Sequence, residues 1–497
     1  MTARCWLLAT VAAIGIAVPV GAQSWLLRFN AAAQRVQFRG VSADSVPDSL
    51  VTVTSTAGPL SPDGFAANCS GNSFCYFFRP GPVLTGIPAS AGVDMSLWGL
   101  GVQGLSVRVS ARVYGDLSGS QVFPGTSPPF NLLEGYAEYL RDGLTIQAGR
   151  MLERGRLASV GTSGIDGMRA TWRFHGDALE VGGYAGWGFA RGTILTVTSP
   201  AVDPLADFQP ATRQIVVGTV ASLHLARLDV STEYRREIDP VTDYIVAERA
   251  AVTAQVRLNP RIRFVTGADY DIAQALLGSG EASLAYTGRD IWVTVGARHY
   301  RPFFDLWTVW GVFSPVPYNG VTGSFTVNPI KKLQLSANGE WFRYDNAAVG
   351  TPAVTLEDRG WRWGVSGTLT PVPSWTIGLS GHGELTPGAS SSGADLRASW
   401  RPRERLELSA EGGSLERPLE LRFQDAGVCY AGGSADYRAG ERWRLGLSLD
   451  RYWESRDRPD AASFDWNQWR LSGRVSLTLR SAADRWLPTA RPPGGAP

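Results

Sequence analysis

The sequence predicts an all-β chain, a transmembrane, antiparallel, up-and-down β-barrel of about 22 strands, from three features: period-two alternation, long segments, and connections that alternate between short and long. Alternation recurs with few interruptions from residue 92 to residue 480. Trp443, Leu445, Leu447 and Leu449 fall on one side of a strand, and Arg444, Gly446, Ser448 and Asp450 on the other. Leu471, Val475, Leu477 and Leu479 stand likewise against Arg470, Ser472, Arg474, Ser476 and Thr478, and Leu105, Val107 and Val109 against Ser106, Arg108 and Ser110. A soluble sandwich would alternate too, so length decides. The segments run about 10 to 14 residues, against five or six in soluble sheets, and a tilted strand crossing a bilayer needs about 9 to 11.

Each connection is then assigned to a rim. Short links occur at Arg141-Asp142-Gly143, His175-Gly176-Asp177, Asn259-Pro260, Arg401-Pro402-Arg403 and Ala439-Gly440-Glu441, among others, and longer ones include residues 41–90, 189–213, 302–317 and 415–428. Outer-membrane barrels place short turns in the periplasm and long loops outside. Counting in this way gives 21 strands from residue 92 to 480, and Trp25 to Arg39 supplies the partner that closure requires. The count has a range of about 16 to 22, because boundaries read from sequence shift by a few residues.

Residues 1–22 read as a signal peptide: Arg4, an apolar run from Cys5 to Val18, the breaker Pro19, and small residues ending at Ala22. The barrel is assigned to residues 23–480, with its long extracellular loop at 41–90, and a Pro/Gly-rich periplasmic tail to 481–497. Beyond the leader no run approaches the roughly 18 apolar residues of a spanning helix, which leaves a closed barrel as the way to cross. Cys69 and Cys75, in a Gly/Asn/Ser-rich loop, are expected to form a disulfide in an oxidising envelope. Cys429 reads as a small hydrophobe on an apolar strand face. Trp98, Tyr139, Trp172, Trp187, Trp341, Trp361, Trp375, Trp400, Tyr437 and Trp443 are expected at the lipid headgroups.

Composition narrows function. With 47 basic and 45 acidic side chains, no basic patch for nucleic acid is expected. Four histidines, none spaced for metal, argue against a metal centre, and no cofactor is expected. The polar faces carry both signs: Arg108, Arg112, Arg169, Arg173, Arg235, Arg298, Arg362, Arg444 and Arg474 beside Glu134, Glu138, Glu233 and Glu340. Desolvating so many charges would cost several kcal/mol apiece, so they are expected to line a wetted lumen or to pair across strands. Trp307 and Trp310, in an aromatic segment between strands, are candidate solute contacts.

Two motifs invite other readings. Gly99 to Gly104 approaches the glycine spacing of a dinucleotide loop, but a strand rather than a helix follows, so a hairpin is expected. Ser380, His382 and Glu384 share one strand face, yet neighbours on that face lie about 7 Å apart, too far for a hydrolytic triad.

The stretch Leu133 to Tyr139, the Arg-Asp-Gly turn, Leu144 to Gly149-Arg150 and the later Asp166-Gly167 resemble porin-like and alginate-export-type bacterial outer-membrane barrels over about 40 residues. Such barrels commonly finish on an aromatic, whereas this chain runs on past Leu479 and Trp486 to Pro497. Energy-coupled receptors are also barrels of about 22 strands but carry a plug domain first, which the early first strand disfavours. The expectation is therefore an outer-membrane channel passing small hydrophilic solutes through a charge-lined lumen, not an enzyme. It would be a monomer or homotrimer, contact outer-membrane lipid and be inserted by the barrel assembly machinery. The alternative is a non-conducting surface scaffold or adhesion barrel that acts through its long loops.

Overall fold

In the computed structural model the described residues are 24–481, apart from 55–57, 70–72, 119–129, 155–161, 175, 190–213, 302–316, 346–358, 387–388, 417–424 and 458–465. The signal peptide, most of the tail, and Trp307 and Trp310 therefore lie outside them. Twenty-two antiparallel strands form a closed wall in simple up-and-down order. Closure joins the first strand, Ser24–Pro47, to the last, Trp466–Arg480, in a ladder from Leu26↔Arg480 to Arg35↔Leu471. The first strand's other edge pairs with Pro88–Trp98.

Local chemistry sets the short turns. Between Phe130–Arg141 and Leu144–Arg154, Asp142 and Gly143 have φ of 47° and 82°, the left-handed pair that matches strand twist in a two-residue hairpin. A Cβ on Gly143 would lie 2.8 Å from the Arg173 carbonyl oxygen, so glycine is required twice over. At the next strand pair but two, the Asn259 side chain accepts hydrogen bonds from the backbone N–H of Arg261 and Ile262, each 2.8 Å, closing an Asx turn. Gly99, Gly101 and Gly104 all have positive φ in the turn before Leu105–Asp116, and a strand follows them.

Register sorts the side chains. Leu447 pairs with Ala435, Leu449 with Leu471, and Trp375 with Trp400, whose rings stack at 5.6 Å. These apolar groups stand exposed on one face all round the wall, Trp172, Trp187, Trp341 and Trp443 among them. A closed sheet whose exposed face is Leu, Val and Trp, and whose other face is charged, is built to span a membrane with its charged face turned inward. Trp98 departs from the expected girdle: it pairs with Ser106 and Ser24, one residue out of phase with outward Leu97, so strand alternation turns it to the inner face. Cys429, paired with Ser414 and Trp453, is free and exposed on the outer face.

The segment 41–90, expected as a loop, is largely strand. The first strand continues to Pro47 and pairs with Phe74–Gly86, in unbroken register with the wall as far as Arg39↔Val83. The hairpin closes on its own small core of Val46, Cys75 and Phe77, with Val51, Phe65 and Ala67 against it, and Cys69 and Cys75 are joined by a disulfide. Arg79 stacks on Phe65 and Phe77 and forms an ion pair with Asp44 at 2.9 Å. Among the described elements, this segment's strands pack on one another and on the first strand rather than on the inner wall.

Candidate functional site

Every charged residue expected on the polar faces sits on the face opposite the exposed Leu and Trp. Arg108 and Arg112 on Leu105–Asp116 share that face with Glu134 and Glu138 on the neighbouring Phe130–Arg141, and Arg108 is 3.5 Å from Glu134. Arg169 lies opposite Tyr184, and Arg173 pairs with Glu180 at 3.0 Å. Arg444 stands opposite Ser476, and Arg474 contacts Asp436 at 2.6 Å. What sequence alone did not supply is how these groups divide into three differently built patches.

The first patch is dry. On Leu228–Ile238, Ile245–Asn259 and Ile262–Asp271, Arg235 pairs with Glu237 and Arg249 with Asp269, while the Ser279 hydroxyl donates to Asp269. Glu233 accepts a hydrogen bond of 3.2 Å from the Tyr184 hydroxyl. The side chains of Arg249 and Asp269 are 5% and 0% exposed. Glycine makes room for them, since a Cβ on Gly278 would fall 2.3 Å from both Arg249 and Asp269. Beside this patch, Met151, Ile165, Tyr184, Val216 and Val220 form an apolar cluster on the inner face. The Tyr184 ring lies where a Cβ of Gly218 would be.

The second patch is a chain of alternating charge. Arg298 reaches Glu340 through two contacts of 2.5 and 2.6 Å, Arg362 reaches the same carboxylate at 3.2 Å, and Glu384 lies 3.7 Å from Arg362. Arg298 also donates to the Tyr318 hydroxyl at 2.6 Å. Arg298 crosses the intervening strand Tyr318–Ile330 because Gly320 has no side chain: a Cβ there would stand 2.9 Å from the Glu340 Oε1. Phe342, wholly buried, lies over Gly360, and Arg362 stacks on it at 4.9 Å. Two cations and two anions make the patch neutral overall, a stiff wall rather than a charged ring.

The third patch is open. Arg474 grips both oxygens of Asp436, at 2.6 and 2.7 Å, across Gly446, with the two side chains 68% and 40% exposed. Higher on the same strands, Arg470 stacks on Tyr452 at 4.3 Å, Tyr452 on Tyr430 at 5.7 Å, and the Tyr430 hydroxyl donates to Asp395 at 2.5 Å. Ser380 is 3.5 Å from Asp395. Among the described residues no hydrogen bond joins Ser380 to His382, and no group of three or more His, Cys, Asp or Glu is arranged for a metal ion.

The two halves of the Gly-Arg and Asp-Gly motif meet across one strand pair. Arg150 is opposite Asp166 and Gly149 opposite Gly167, and the guanidinium contacts the carboxylate at 2.6 and 2.7 Å. Arg150 also donates to the Leu132 carbonyl at 3.0 Å. Register puts the pair on the outer face, in phase with Ile146 and Ala148, so its role is at the lipid side and not in the lumen. Gly149 is needed because a Cβ there would fall 2.2 Å from the Gly135 carbonyl oxygen.

No family model and no curated protein matches the sequence. Among solved structures, the ferric enterobactin receptor PfeA of Pseudomonas aeruginosa, in complex with enterobactin, is similar at 10% identity, over 91% of this chain and 81% of that one, with a TM-score of 0.52. The copper transporter OprC aligns at 13% identity over 91% and 80% of the two chains with a TM-score of 0.45. OccAB1 of Acinetobacter baumannii aligns at 8% over 94% and 99%, with a TM-score of 0.40. The likeness is one of fold, and the chain is a closed, 22-stranded outer-membrane β-barrel.

Proposed function

We propose that this barrel is a porin-like channel through which small hydrophilic solutes pass passively, with the open patch of the inner wall as the wetted path. The supporting observation is the exposure of inner-face charge: Arg474 at 68%, Arg108 at 57% and Arg257 at 59%. Such groups keep their hydration only if water fills the space beside them, and a continuous aqueous space inside an apolar wall is a route across it. Both signs line that route, so it favours polar solutes in general over one ion type.

Conductance in planar bilayers tests the proposal. Discrete open steps are expected from the purified barrel, and Arg108→Glu with Arg112→Glu should move the reversal potential toward cations. A folded barrel that never conducts would leave the second reading, a surface scaffold. That reading has its own support in the disulfide-tied hairpin, which carries Phe74, Tyr76 and Val53 exposed beyond the wall.

A further inference from the structure

We propose that the outer face beside the closure of the barrel holds an outer-leaflet lipid by a phosphate on its headgroup, with Arg451 and Arg35 as the phosphate ligands. Charged residues on the outer face occur toward the long-loop rim, where the cost of exposing a cation to lipid falls off from its midplane maximum. At two other places along that rim a cation is paired with a protein carboxylate: Arg150 with Asp166, and Arg236 with Glu248 at 4.0 Å. Arg451 and Arg35 differ. Arg451 is in phase with outward Leu447 and Leu449 and opposite Trp469; Arg35, in phase with Leu27 and Phe29, is opposite Leu471. They thus flank the last strand on either side, two residues apart in height. Neither has a carboxylate within ion-pair distance among the described residues, and the buried Nε of Arg451 has no hydrogen-bond partner.

The surroundings fit a lipid rather than a free anion. The Arg451 guanidinium stacks on Trp453 at 4.8 Å and on Trp469 at 5.2 Å, which fixes it at the membrane surface where indole rings settle. On the membrane side of Arg451 the outer face is small: Ala431 is directly opposite it, Gly433 is opposite Leu449, and Ala410 and Gly412 adjoin them on the next strand. These positions leave a shallow channel walled by Leu449 that runs from the arginine into the apolar belt. A lipid with its phosphate on Arg451 and an acyl chain along the channel would satisfy the cation and cover the small-residue surface together.

The test uses the full-length barrel, purified in a neutral maltoside detergent and probed by native mass spectrometry with a bis-phosphorylated lipid A and its dephosphorylated counterpart. Retention of the phosphorylated lipid at least tenfold above the dephosphorylated one is expected, with that preference lost in Arg35→Gln/Arg451→Gln and kept in Arg35→Lys/Arg451→Lys. Gly433→Leu, which fills the channel and removes no charge, should also weaken retention, and Arg236→Gln should not. Equal retention of the two lipids, or full retention by the glutamine variant, overturns the proposal. Displacement of the lipid by millimolar inorganic phosphate alone would overturn the assignment to a lipid. Heat-modifiable gel mobility checks that each variant is folded; if the glutamine pair does not fold, the lysine pair and Gly433→Leu carry the test.

Discussion

Between Leu228–Ile238 and Leu276–Thr287 the inner wall buries its ion pairs, whereas between Asp425–Ala439 and Trp466–Arg480 it exposes them. Both regions use arginine against aspartate and both clear space with a glycine, although Arg249 and Asp269 are on neighbouring strands and Arg474 reaches Asp436 across the strand between them. Their energetics nonetheless differ, because a pair in a dry environment has surrendered its hydration and a pair in water has not. The dry region also carries the apolar cluster around Tyr184 and Val216, so it resembles a packed protein interior. The wall is thus not uniform around its circumference: one arc is packed like a protein interior, and the other keeps its charged groups exposed on the inner face.

The comparison breaks most directly at Asp269. Asp269→Ala leaves Arg249 charged and without its partner in a site where the guanidinium is 5% exposed. Removal of one member of a buried pair costs about 3–5 kcal/mol. The expected result is a large fall in the urea midpoint for unfolding in detergent micelles, recovered in part by Arg249→Met/Asp269→Leu, which removes both charges. A fall of under about 1 kcal/mol for the single variant would mean the pair is solvated and the two arcs are alike.

Gly360 tests the intermediate patch. A Cβ at this position would stand 2.4 Å from the Phe342 ring, so Gly360→Ala must displace an aromatic ring that is wholly buried and that supports Arg362. Overpacking of this kind costs about 1–3 kcal/mol. The same change at Gly440, with open space around its Cβ but a φ of 77°, should cost only its backbone strain, about 1 kcal/mol. Urea midpoints of the two variants, measured together, separate crowding from backbone conformation.

How much of this was legible in the sequence depends on the range of each interaction. Strand parity and number were readable because alternation and turn chemistry are local: Asp142-Gly143 and Asn259 set their hairpins from within a few residues. The continuation of the first strand beyond Arg39 was hidden because Pro80, Gly81 and Pro82 interrupt the alternation of its partner, where the ladder shifts between Arg39 and Val41. The long reach of Arg298 to Glu340 was also hidden, since it depends on a glycine in the strand between them, and no spacing along the chain records that. Gly320 was a visible signal, but only once register had put it opposite Arg298. Arg451 and Arg35 were readable as apolar-phase arginines, and the lack of a facing carboxylate became apparent only from the closure ladder.

The smallest expected effect on stability, and the sharpest on function, lies at Arg474 and Asp436. With the two side chains 68% and 40% exposed, breaking their contact should cost no more than about 1 kcal/mol, so Asp436→Asn and Arg474→Gln should unfold near the wild-type urea midpoint. Under the proposed conduction, both changes alter the charge facing the water column. Asp436→Asn frees the Arg474 cation and should move the reversal potential in a salt gradient toward anions; Arg474→Gln frees the carboxylate and should move it toward cations. Opposite shifts at unchanged stability would place this pair on the solute path. Identical reversal potentials with unchanged stability would mean that ions pass elsewhere, and the open arc would then be wet without being the route.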